Sequence, residues 1–182
     1  MAQFGKIKQW LLQRDLHKKL SRLQRNKEFF NLKKSKTFGV VFDASTEASY
    51  NRVSSFVRHI QSHNKIVKAI GFVDAKEVPH YIMQTISYDY VTRKDLDFAL
   101  RPRTKFINDF FKQEFDVLVD FNLDNNPVLF YCSALSRAKF KIGMYNPDNE
   151  NVFDFLIQGI DEKSMARYAK EVLNFLETLE TK

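Results

Sequence analysis

The feature that most constrains this chain is a set of short apolar runs with no alternation of polar and apolar residues. Thr37 to Phe42, Ile66 to Val73 and Phe115 to Phe121 are apolar at odd and even positions alike, the pattern of strands buried on both faces. Aspartates stand at their ends: Asp43, Asp74 and Asp120. Between the runs the period changes to that of a helix. Residues 46–63 bring Tyr50, Val53, Phe56, Val57 and Ile60 to one face, with Ser45 or Thr46 as cap. Strands joined by helical crossovers form a mostly parallel sheet covered on both sides. The expected fold is α/β, a three-layer Rossmann-like sheet of five to six strands preceded by a basic N-terminal helix.

The rest of the chain fills in that scheme. A connector at Glu77-Val78-Pro79 leads to a third strand, Thr85 to Val91. Thr104 to Glu114 is a helix whose Phe106, Ile107, Phe110 and Phe111 are spaced to pack on the sheet. Pro127 starts a short helix, Val128 to Leu135, followed by a fifth strand, Ala138 to Met144. A turn at residues 146–149, a sixth strand from Val152 to Ile157 and a closing helix from Glu162 to Leu179 complete it. Arg137, Lys139 and Lys141 alternate with Ala138, Phe140 and Ile142, which predicts a half-exposed strand with one basic side.

Charge divides the chain in two. Its formal +7 is concentrated in residues 1–36, which hold eleven basic residues against Asp15 and Glu28, a net of +9. Residues 37–182 are therefore a nearly neutral α/β domain at −2, and residues 1–36 a basic helical arm. Leu12, Leu16, Leu20 and Leu23 form a stripe on that arm, suited to self-association, to a protein partner or to packing on the chain's own domain. Phe4, Ile7, Trp10 and Leu11 project elsewhere, which predicts a break near residues 10–12 or a helix that meets two partners.

The candidate residues for an anionic partner are Lys6, Lys8, Arg14, Lys18, Lys19, Arg22, Arg25, Lys33, Lys34 and Lys36. Phosphate contacts need only such cations, so RNA or a ribonucleoprotein is the partner the arm fits best. A membrane surface is a further option through Phe4, Ile7, Trp10, Leu11 and the flanking lysines. A second candidate is a crevice at the carboxyl ends of the first and fourth strands, with Asp43, Ser45, Thr46, Asp74, Asp120 and Asn122. It suits a nucleotide or nucleotide sugar, although the same aspartates also serve as turn and cap residues.

No catalytic motif is complete. Neither glycine-rich phosphate signature occurs, and His59-Ile60-Gln61-Ser62-His63 has isoleucine where a metalloprotease helix needs its general base. No catalytic residue, metal ligand or cofactor is assigned. Cys132, the one cysteine, reads as a buried inert thiol. With a mean hydropathy of −0.40, no membrane-span run and lysines breaking up the leading apolar residues, the chain is expected in the cytoplasm.

The runs FGVVFDASTEASYNRVSSFV, IGFVDAKEVP, VTRKDL and FINDFFKQEFDVLVDFNLDNNPVLFYCSALSRAKFKIG resemble a bacterial family of uncharacterised cytoplasmic proteins with a basic N-terminal helix. That resemblance implies architecture and no mechanism. Phe115 to Gly143 is similar to part of the N-terminal Rossmann domain of heptosyltransferase-type glycosyltransferases. Asp116, Asp120, Ala138, Lys139, Lys141, Ile142 and Gly143 carry the similarity, which implies fold kinship.

Overall fold

The computed structural model describes residues 5–83, 85–147, 149–159 and 164–180; Phe4, Asp148 and Glu162 of the sequence reading lie outside them. Six strands form one parallel sheet: β1 (Thr37–Asp43), β2 (Ile66–Val73), β3 (Tyr88–Thr92), β4 (Val117–Phe121), β5 (Phe140–Met144) and β6 (Phe155–Ile157). Their order is β3-β2-β1-β4-β5-β6, so strand order reverses between β1 and β4. The helices are α1 (Lys6–Leu20), α2 (Glu47–Ser62), α3 (Lys105–Lys112), α4 (Pro127–Leu135) and α5 (Met165–Thr178).

Residues of β1 and β4 that point to one face pack with α2 and α5: Phe38, Val40, Phe42, Val119 and Phe121 meet Val53, Phe56, Tyr168 and Val172. The other face carries α1, α3 and α4, where Val41 and Leu118 meet Leu12, Ile107, Phe110 and Leu129. Each layer thus answers the all-apolar strands with its own core.

Several expected elements are shorter than their apolar runs. The third strand begins at Tyr88, after the exposed Thr85 and Ile86, and the fourth at Val117, where pairing with β1 begins although Phe115 and Asp116 before it are buried. Phe115, outside β4, is 1% exposed and packs beside Phe110.

The basic segment is part of this body. α1 is unbroken, so the expected break at residues 10–12 is absent, and its Leu12 and Leu16 are buried while Ile7 and Trp10 face solvent. After Leu20 the chain runs as a strap past the start of β5. Glu28 N–H donates to Lys139 C=O (3.2 Å), and Leu32 N–H to Leu176 C=O (2.8 Å). The strap therefore carries the chain from the α1 face to the α5 face, where Phe30 and Leu32 enter the other core. Arg25 pins it: its guanidinium donates to Asp154 (Nη2 to Oδ1, 2.8 Å) and to Ala138 C=O (3.1 Å), with both side chains less than 10% exposed.

β5 differs from its expected half-exposed form. Lys141 is 1% exposed, and its Nζ donates to Ala134 C=O (2.8 Å). Lys139 reaches Asp116 at 3.1 Å, which leaves Arg137 as the exposed cation of that run. Of the basic side expected from alternation, Lys141 is the residue that α4 and the strap cover.

Candidate anion-binding cleft

A cleft of about 520 Å³ opens where the end of α1 meets α3, α4 and the loop after β3. Six cations line it: Lys19, Arg22, Arg101, Arg103, Lys112 and Arg137. Phe111, Leu135 and Tyr131 supply its apolar and aromatic wall. No carboxylate lines it among the described residues.

Local sequence explains why the loop presents two arginines. Thr92 donates through its N–H and its hydroxyl to Asp95 (both 2.7 Å), which starts a short 3₁₀ turn. Asp97 then accepts from the backbone N–H of Ala99 (2.9 Å) and Arg101 (3.0 Å), and from Nε of Arg101 and of Arg103 (2.8 Å each). Leu100 sits between them at φ 60°, a conformation that non-glycine residues adopt at a cost, held here by the Asp97 bonds on either side. Burial would raise the Asp97 carboxyl, but the bonds from Arg101 and Arg103 outweigh it and hold the pKa at about 2.

The α1 wall is fixed in a similar way. Asp15 accepts from Tyr131 Oη (2.7 Å) and pairs with Lys19 (3.0 Å) and Arg101 (3.2 Å). Lys19 also donates to Tyr131 Oη (2.6 Å). Partial burial opposes its ionisation, yet these partners keep the Asp15 carboxyl below the usual range. Two carboxylates thus position three of the cations. Arg22, Lys112 and Arg137 make no ion pair or side-chain hydrogen bond among the described residues, and all three are exposed.

The arm residues named from sequence divide into groups. Lys19 and Arg22 reach the cleft. Arg25 is committed to Asp154, Lys34 pairs with Glu28 (2.8 Å), and Lys36 donates its backbone N–H to Asp116 (2.8 Å). Lys8 lies over the Phe98 ring and Arg14 over Trp10, while Lys6, Lys18 and Lys33 are exposed. Sequence reasoning missed Arg101, Arg103 and Lys112, which long-range packing brings beside the arm. The Arg101-Pro102-Arg103 triplet was the available signal.

The crevice residues do not form one site. Asp120 pairs in register with Val41, two residues before Asp43, and the two carboxyls line separate cavities. Asp43 accepts from Ser45 N–H (2.7 Å), Thr46 caps α2 by accepting from Ser49 N–H (3.2 Å), and Ser45 Oγ accepts from Asp74 N–H (2.9 Å). Asp74 pairs with Arg93. These are turn and cap roles. His59 in the last turn of α2 and His63 at its C-cap are exposed, and the described residues contain no metal-binding cluster of His, Cys, Asp or Glu. Cys132 is buried, and burial raises its thiol well above the usual value.

A family model described as "Family of unknown function (DUF6913)" matches residues 8–179. No curated protein and no solved structure matches the chain, so the similarity to heptosyltransferase domains has no counterpart there.

Proposed function

We propose, for a chain that belongs to the DUF6913 family of unknown function, a non-catalytic role in binding RNA or a ribonucleoprotein through the basic cleft. The observation that carries this reading is the convergence of six cations on one concave surface that, among the described residues, no carboxylate lines. Three are held in place by Asp15 and Asp97, and three remain free to meet phosphate. Arginines suit phosphate oxygens because the planar guanidinium donates hydrogen bonds in pairs. Phe111, half-buried at the cleft wall, offers ring surface beside them for an accessible base. We place the protein in the bacterial cytoplasm, where a lone buried thiol fits a reducing medium.

The test is a fluorescence-anisotropy titration of the full chain with a short single-stranded RNA. Arg22→Glu/Arg137→Glu is expected to weaken binding at least tenfold. Exposed Lys33→Glu, outside the cleft, is expected to change it less than threefold. Equal affinity for wild type and the double variant contradicts the reading.

A second reading has its own observation. Ile7 is 72% and Trp10 55% exposed on α1, Phe98 is 69% exposed, and Lys8 and Arg14 stack on the aromatic pair. Apolar side chains among cations fit the interface of an anionic membrane. Among the described residues no helix is long and apolar enough to cross a membrane, so such contact is peripheral. Flotation with vesicles rich in phosphatidylserine checks it: Trp10→Ala leaves the floating fraction if the reading holds.

A further inference from the structure

The opposite flank of α1 borders a cavity of different character. It encloses about 450 Å³ between α1, the start of α4 and the loops after β4 and β5, a size typical of small-molecule sites. Among the described residues no lysine or arginine lines it. Its walls include Leu16, Phe130 and Met144, and its rim carries the amides of Gln13, Asn125 and Asn151.

Asp120 lines this cavity from the carboxyl end of β4. The residue is 4% exposed, its Oδ1 accepts from Asn122 N–H (2.9 Å), and it makes no ion pair among the described residues. Burying a carboxylate costs free energy that a further bound donor recovers. Burial pushes its pKa up to about 7 against the pull of the Asn122 amide, the Ser133 hydroxyl and the Lys141 charge, so the group is poised between its two forms at neutral pH. The titratable groups around it are His17 of α1, Cys132 of α4, Lys141 of β5 and Tyr168 of α5. Lys141 spends its amine on Ala134 C=O and is itself pushed down to about 7 by burial.

We propose that this cavity binds a phosphate-free purine base or nucleoside that presents a ring N–H and a neighbouring exocyclic amine to the Asp120 carboxylate, as the guanine edge does. Paired donors match the two oxygens of a carboxylate. The apolar walls take the ring, the rim amides take carbonyl and ribose hydroxyls, and the absence of lysine and arginine from the described lining disfavours a phosphate. The site is separate from the basic cleft and does not depend on the RNA reading.

Calorimetric titration of the full chain with guanosine, adenosine, guanosine monophosphate and agmatine tests it. Guanosine is expected to bind, adenosine about tenfold or more weakly, and the monophosphate no more tightly than the nucleoside. Asp120→Asn, isosteric, is expected to cost about tenfold or more. Gln13→Trp, at an exposed position on the rim, blocks entry without touching the core and decides the matter if Asp120→Asn misfolds. Guanosine affinity falls about tenfold from pH 8 to pH 6 in wild type as the carboxylate protonates, and stays flat in Asp120→Asn. Equal binding of adenosine and guanosine, preference for agmatine, no loss in either variant, or no nucleoside binding at all overturns the proposal.

Discussion

Asp120 and Lys141 are buried on adjacent strands, and each pays for burial with a shifted pKa. For Asp120 the folded-state value of about 7 lies above that of the unfolded chain. The folded state therefore holds the proton longer, and this group's contribution to stability declines as pH rises from about 4 to about 7. Asp120→Asn removes that decline. The melting temperature of the variant relative to wild type is expected to rise between pH 5 and pH 8, and a constant difference contradicts the assignment. Cys132 is expected to stay unreactive toward a disulfide reagent until the protein unfolds, since its thiol is 1% exposed and held neutral by burial. The burial of the thiol was legible from the apolar residues around it. The separation of Asp43 from Asp120 was not, because run boundaries do not reveal how far each strand extends past its neighbour.

Among the elements, α1 and the strap decide how the charge is displayed. Leu12 and Leu16 were readable as one stripe, but not the surface they meet, because many apolar faces satisfy the same period. They lie in the chain's own core, so Leu16→Ala is expected to cost about 2–5 kcal/mol in chemical denaturation. Arg25→Ala leaves Asp154 buried without its main partner and is expected to cost about 3 kcal/mol, whereas Lys34→Ala, at an exposed pair, costs less than about 1 kcal/mol. β5 shows where alternation misleads: Lys141 stands at a position that reads as solvent-facing, yet α4 offers it a carbonyl and the strap closes over it. A basic residue with a local acceptor hides in a core that its sequence does not announce.

At the scale of the molecule, the parallel sheet with a core on both faces was legible, because all-apolar strands joined by helices leave few alternatives, whereas the order β3-β2-β1-β4-β5-β6 comes from the structure. The cleft was not, since four of its six cations come from beyond the arm and only packing assembles them. The +9 segment contributes Lys19 and Arg22 to that cleft and spends Arg25 on holding the body together. The salt dependence of RNA affinity tests the account most directly. Each phosphate met on a single strand contributes a slope of about −0.7 in log K against log salt. Three free cations, Arg22, Lys112 and Arg137, give an expected slope near about −2 for wild type, falling to about −0.7 in Arg22→Ala/Arg137→Ala. Binding that ignores salt, or the same slope in both proteins, would contradict the cleft as the phosphate-binding surface.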